Sequence, residues 1–217
     1  MTLLPPRDTS EQNGVPREAP DDAALGAALL RKTRESVATQ QAFFEEHGAS
    51  VVQCARALAA AFEGGARLFV FGNGGSACDA EHLAVELTYP VVEKRKPLPA
   101  TVLGTQRALL TAVGNDEDFA LAYVRELEVA ARPGDIAVGL STSGKSRNVV
   151  RTLKAARELG LLTVGFAGRD GGAMVGLCDH LFIVRSFSIH RIQETHGVLL
   201  HLLWDLIHVA RGEEDVL

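Results

Sequence analysis

His82 and Glu86 stand four residues apart, and Gln193 and His201 stand eight apart. At 3.6 residues per turn, each pair shares one face of a helix. An imidazole and a carboxylate one turn apart can move protons or hold a divalent ion. Alone they equally read as a solvated i,i+4 pair worth roughly 0.2–0.5 kcal/mol. Adding Gln193 and His201 gives two imidazoles, a carboxylate and an amide oxygen, an N/O donor set that suits zinc or a similar divalent ion. Gly197 lies midway on the Gln193/His201 face and leaves room there. Asp205, one turn past His201, is placed to orient its ring.

Two turns rich in glycine and hydroxyls accompany these residues. Gly72-Asn73-Gly74-Gly75-Ser76 follows the apolar run Leu68–Phe71 and opens the helical stretch that carries His82 and Glu86. Ser141-Thr142-Ser143-Gly144-Lys145-Ser146 follows Asp135–Leu140 and opens another helical stretch. Unpaired N–H groups and the helix dipole make such N-termini receptive to an anion, and the hydroxyls can hold one phosphate's oxygens without a nucleotide. In a parallel sheet both turns project from the carboxyl edge, where ligands bind. A phosphorylated small molecule is therefore expected.

Gly72–Ala77 also fits GxGxxA, a dinucleotide fingerprint. A nicotinamide binder would end its next strand in an acid, whereas here the run is Val102-Leu103-Gly104-Thr105. A nicotinamide-dependent oxidoreductase fails on that point.

The elements that must position these residues follow from periodicity. Residues 1–20 are Pro-rich and aperiodic, and are expected to be a disordered tail before a single domain over 21–217. Helices are expected at Asp21–Glu46, closed by His47-Gly48, and at Ser50–Phe62. Strands at Leu68–Phe71, Ala100–Leu103, Asp135–Leu140, Leu162–Phe166 and Leu181–Val184 alternate with helices at Ser76–Leu87, Gln106–Val113, Asp118–Ala130 and Arg147–Leu159, before a last helix at His190–Arg211. Alternation of this kind builds an α/β three-layer sandwich, a roughly five-stranded parallel sheet with helices on both faces. The last helix, with Leu199, Leu200, Leu202, Leu203, Leu206 and Ile207, carries more apolar surface than one sheet contact needs, which suggests burial between subunits.

Bulk properties narrow the function further. With 217 residues and a net charge of −5, the chain has core enough for one α/β domain and lacks the basic balance of a nucleic-acid reader. Cys54, Cys78 and Cys178 form no CxxC pair, so they read as buried or free thiols in a reducing compartment. No apolar run approaches the roughly 20 residues that span a bilayer, and the N-terminus lacks a signal peptide. No membrane association and a cytoplasmic location are expected. His47, His180, His190, His196 and His208 fit no constellation and read as surface or packing residues, and Lys94-Arg95-Lys96 reads as a solvated loop, with contact to the substrate phosphate as the alternative.

Taken together, Gly72–Ser76 with Asp79-Ala80-x-His82 and Glu86-Leu87-Thr88, Gly114-Asn115-Asp116, Ser141-Thr142-Ser143-Gly144-x-Ser146, Gly168-x-Asp170-Gly171-Gly172 and Arg191-Ile192-Gln193-Glu194 with His201 resemble the sugar isomerase (SIS) fold, and within it the phosphoheptose isomerases. The resemblance implies a homotetramer with active sites at subunit interfaces. It implies substrate contacts from Asn73, Gly74, Gly75, Ser76, Glu86, Asn115, Asp116, Ser141, Thr142, Ser143, Ser146 and Gln193. It makes His82, Glu86, Gln193 and His201 the ligands of one zinc ion per subunit, and gives the proton transfers to Glu86 and His201. The implied reaction converts sedoheptulose 7-phosphate, or a closely related ketose phosphate, to the aldose phosphate through a cis-enediol. A non-catalytic SIS module that binds a sugar phosphate or a protein, like the relatives associated with the bacterial replication initiator, is the alternative. The chain departs from the family at Tyr89-Pro90-Val91, where a Gly-Arg-Tyr run is common, and at His190, where an aspartate often precedes Arg-Ile-Gln.

Overall fold

The structure is a computed structural model that describes residues 19–91 and 95–215. The expected tail thus lies almost wholly outside the described residues, as does Lys94 of the Lys94-Arg95-Lys96 stretch. The chain divides into two units at Glu35 and Ser36, and the second carries the sheet.

In chain order the elements are α1 (Asp22–Glu63), β1 (Leu68–Phe71), α2 (Gly75–Thr88), β2 (Ala100–Val102), α3 (Arg107–Asp116), a 3-10 turn (Phe119–Leu121), α4 (Ala122–Ala130), β3 (Ile136–Ser141), α5 (Arg147–Glu158), β4 (Leu162–Gly168), a second 3-10 turn (Gly172–Met174), β5 (His180–Val184) and α6 (Ile189–Ala210). The five strands are all parallel in the order β2-β1-β3-β4-β5. Strand order reverses between β1 and β3, so the turns that follow these two strands meet at the topological switch point.

Alternation along the strands divides the core. Leu68, Val70, Ile136, Val138, Leu140, Val164, Phe166 and Phe182 face α2, α6 and the C-terminal part of α1. Phe69, Phe71, Ala137 and Ala167 face α4 and α5 through Tyr123, Leu127, Val149, Leu153 and Ala156. This is the expected sandwich. Beside α4, helix α3 buries a single side chain, Val113, and lines a cavity of about 620 Å³ together with Phe69, Leu103 and Arg125.

Several boundaries differ from the sequence expectation. The helices expected on either side of His47-Gly48 are one, because Phe43, Val51, Cys54, Ala55, Leu58, Ala59 and Phe62 continue one buried stripe. His47 belongs to that stripe, its ring centroid 4.8 Å from Phe43 and 6.0 Å from Phe182. A mid-helix glycine costs about 1 kcal/mol against alanine, less than the packing on either side supplies. Asp118 accepts from the Ala120 N–H at 2.9 Å and caps a short 3-10 turn, so the helix expected from Asp118 starts only at Ala122. Helix α3 extends through Gly114, Asn115 and Asp116.

The surplus apolar surface of the last helix is largely used within the chain. Leu199, Leu200, Leu203 and Ile207 are buried in its own core and Leu206 packs against that core, leaving Leu202 exposed. On α1, Leu25, Leu29, Leu30, Val37 and Val52 are also exposed.

Candidate active site

The first turn exists because glycine allows it. A Cβ on Gly72 would lie 2.5 Å from the Ser76 carbonyl oxygen, and Gly74 takes φ 55°. The chain reverses within three residues and α2 starts at Gly75, with Ser76 buried beneath the turn. Asn73 turns inward and exchanges two amide hydrogen bonds with Asn148 on the first turn of α5.

The second turn closes on itself. The Ser141 hydroxyl donates to that of Ser146 at 2.9 Å, and Ser143 accepts from the Lys145 N–H at 3.2 Å. Gly144 sits at φ 62°, where a Cβ would come 2.0 Å from the Gly171 carbonyl oxygen. The Asp170-Gly171-Gly172 segment therefore packs directly on the hydroxyl-rich turn, and the Lys145 ammonium lies 3.9 Å from the Asp170 carboxylate.

Helices α2 and α6 run side by side and bring His82, Glu86 and His201 together. One ligand atom from each lies within 4.8 Å of the others. His82 Nε2 is 3.3 Å from Glu86 Oε1 and 3.2 Å from His201 Nε2, with the two rings nearly perpendicular. The Glu86 side chain is 16% exposed, set deeper than that of His82 at 43%. One turn before His82, burial raises the Asp79 carboxyl against the opposing influence of His82, and Asp79 Oδ2 has no hydrogen-bond partner among the described residues.

Gln193 lies two turns before His201 on α6, against the start of α2. A Cβ on Gly75 would meet its Nε2 at 2.1 Å, so the Gln193 amide rests on the backbone that opens α2. Open space surrounds Gly197, in keeping with the room expected there. Asn115 and Asp116 sit exposed at the end of α3, where Asn115 Nδ2 donates to Asp116 Oδ1 at 2.7 Å.

Two expectations are corrected. Asp205 pairs with Arg95 instead of orienting His201, and Arg95 is 5% exposed and so is not part of a solvated loop. The Arg95 guanidinium lies 4.4 Å from the centre of the Trp204 ring. Burial of a strong cation drew the nearest carboxylate, and that choice of partner lies beyond helical spacing. His196 and His208 are fully buried packing residues, as expected.

Asn148, Tyr123 and Trp204 support the site without having been singled out. Asn148 carried a signal: it lies one turn before Thr152 on the face of α5 that buries Val149, Leu153 and Ala156, a polar side chain in an apolar stripe.

A parallel sheet whose carboxyl edge joins two such turns to a His–Glu–His cluster defines a sugar-isomerase domain. Residues 33–168 match the family model of the SIS domain. A phosphoheptose isomerase of Aquifex aeolicus is 44% identical over 174 residues, which span 80% of this chain and 91% of that one. The solved phosphoheptose isomerase of Neisseria gonorrhoeae superposes with a TM-score of 0.79 at 34% identity, over 84% of this chain and 98% of the other. That of Francisella tularensis gives 0.81 at 28% identity, over 84% and 97%. The chain belongs to the phosphoheptose isomerase family, and it is an isomerase.

Proposed function

We propose that the chain interconverts sedoheptulose 7-phosphate and the aldose phosphate of the D-glycero-D-manno-heptose 7-phosphate type. The observation that carries this reading is the convergence of His82, Glu86 and His201 on adjoining faces of α2 and α6. Glu86 removes a proton from C1 and returns it to C2 of the cis-enediol. His201 gives a proton to the C2 oxygen and takes one from the C1 oxygen, so that protons balance. Ser141, Thr142, Ser143 and Ser146 hold the phosphate. Asn73, Gly74, Gly75, Ser76, Asn115, Asp116 and Gln193 form the walls for the sugar.

The same cluster suits zinc. Two nitrogens on a tetrahedral zinc with bonds of about 2.0–2.1 Å lie roughly 3.3 Å apart, close to the 3.2 Å between His82 and His201 and the 3.3 Å between His82 and Glu86. His82, Glu86, Gln193 and His201 are its proposed ligands, one ion per subunit, with Glu86 and His201 released from the ion when they move protons. A divalent ion there supplies Lewis-acid stabilisation of negative charge on the sugar oxygens. We read residues 21–217 as one domain of a homotetramer with active sites at subunit interfaces, acting in the cytoplasm on a small molecule, without nucleic acid or membrane. The exposed leucines of α1 support assembly, and no helix among the described residues is long and apolar enough to cross a membrane. A non-catalytic binding role is disfavoured because it has no use for a convergent acid, base and ligand set.

Incubation with sedoheptulose 7-phosphate, followed by NMR, tests the reading. An aldose phosphate is expected to appear, to fall roughly 100-fold or more in rate with Glu86→Gln, and to be lost on chelation and restored by zinc. No turnover by the wild-type protein on seven- or eight-carbon ketose phosphates overturns it.

A further inference from the structure

We propose that Asn148 and Tyr123 are positioning residues that hold the Gly72–Ser76 turn in register with the Ser141–Ser146 turn. This rests on the isomerase reading of the site.

Asn73 Nδ2 donates to Asn148 Oδ1 at 2.9 Å, and Asn148 Nδ2 donates to Asn73 Oδ1 at 2.8 Å. A reciprocal amide pair defines which end of each side chain is oxygen and which is nitrogen. Flipping either one sets oxygen against oxygen and nitrogen against nitrogen. Asn148 is itself anchored, since it is 3% exposed and its Oδ1 also accepts from the Val149 N–H at 3.0 Å.

Tyr123 locks the other side of the turn. Its hydroxyl donates to the Gly72 carbonyl at 2.6 Å and lies 3.1 Å from Asn73 Oδ1. Its ring packs against Phe71, and Gly104 leaves the space it occupies: a Cβ there would come 2.5 Å from Tyr123 Cε1. With Oδ1 engaged and one Nδ2 hydrogen committed to Asn148, Asn73 keeps a single N–H for a sugar hydroxyl, aimed in one direction. Because α5 begins directly after Ser146, the same pair sets the distance from that N–H to the phosphate-holding hydroxyls. The two turns thereby measure a sugar phosphate of fixed length, and neither Asn148 nor Tyr123 needs to touch it.

The test compares Asn148→Asp and Tyr123→Phe with Thr152→Val. Thr152 is buried on the same face of α5, and among the described residues its hydroxyl bonds to the Asn148 backbone oxygen, at 2.7 Å. An aspartate cannot donate to Asn73 Oδ1, so the pair loses its polarity. The expected result is a KM for sedoheptulose 7-phosphate raised roughly tenfold in Asn148→Asp, and in the same direction in Tyr123→Phe, with kcat little changed. Thr152→Val lowers the urea midpoint and leaves KM alone. An unchanged KM in folded Asn148→Asp overturns the proposal. Should that variant not fold, Tyr123→Phe decides it, because only a hydroxyl is removed. Absence of turnover by the wild-type protein counts against the isomerase reading instead, so the two failures are distinct.

Discussion

The indole N–H of Trp204 donates to the main-chain oxygen of Glu86 at 2.7 Å, and Pro90 explains why that oxygen is available. The Glu86 oxygen would ordinarily accept from the residue four positions on, and proline has no N–H to give. A side chain of α6 thus completes the last turn of α2, at the residue proposed to move the proton. Trp204→Phe keeps most of the ring and removes the donor. A stability loss of about 1–3 kcal/mol is expected from the orphaned carbonyl, with a lower kcat as the Glu86 turn loosens. Urea unfolding and initial rates measure the two effects.

Arg95 and Asp205 form an ion pair whose side chains are 2% and 13% exposed. Arg95 Nε and Nη1 have no hydrogen-bond partner among the described residues, so much of the cation's lost hydration is not replaced. Removing one partner strands the other: Arg95→Met alone should cost about 3–5 kcal/mol. The double variant Arg95→Met with Asp205→Leu should recover much of that loss. A double-mutant cycle by chemical denaturation reads the difference, and additive costs would contradict it.

Gly75 and Gly144 separate function from folding. At Gly75 an added methyl meets the movable end of Gln193, whereas at Gly144 it meets the Gly171 backbone from a left-handed conformation. Gly75→Ala is expected to fold with little change in melting temperature but to lose roughly tenfold or more in activity, because Gln193 must leave its place. Gly144→Ala should lower the melting temperature by several degrees, on the order of 2 kcal/mol or more of stability. Scanning calorimetry beside the NMR assay distinguishes the two.

His196 predicts an acid limit to stability. Complete burial lowers its pKa from 6.5 to about 4, while its Nε2–H donates to the Ala167 carbonyl at 3.1 Å. Between those two values the unfolded chain holds a proton that the folded chain does not, so stability falls as pH drops through that window. The contribution is roughly 3 kcal/mol over the full interval. In His196→Gln that part of the slope should vanish, whatever the variant's stability at neutral pH. Urea unfolding from pH 4 to 7 provides the comparison.

The parallel sheet and both glycine- and hydroxyl-rich turns were legible because they depend on local grammar: short apolar runs such as Leu68–Phe71, each ending in residues that favour a turn. His82 with Glu86, and Gln193 with His201, were legible as faces because helical spacing is local too. What joins the faces was not, since no period in the sequence says that α2 lies against α6. The same limit hid the partner of Asp205. A helix-based argument looks one turn away, to His201, and the carboxylate instead answers a buried cation 110 residues distant in sequence. The break expected at His47-Gly48 failed because glycine weakens a helix only locally, while the stripe from Phe43 to Phe62 acts along its length.

The cavity beside α3 divides mechanical compliance unequally around the site. Helices α2 and α6 bury Leu83, Leu87, Leu199 and Leu203 on their inner faces, whereas α3 buries only Val113. Opening free energy follows buried contact, so α3 yields at lower cost than either neighbour. The proposed proton-transfer residues are therefore mounted on stiff supports, and Asn115 and Asp116 on a soft one. In the proposed reaction, such a site would resist distortion at the reacting carbons and give way around the rest of the sugar.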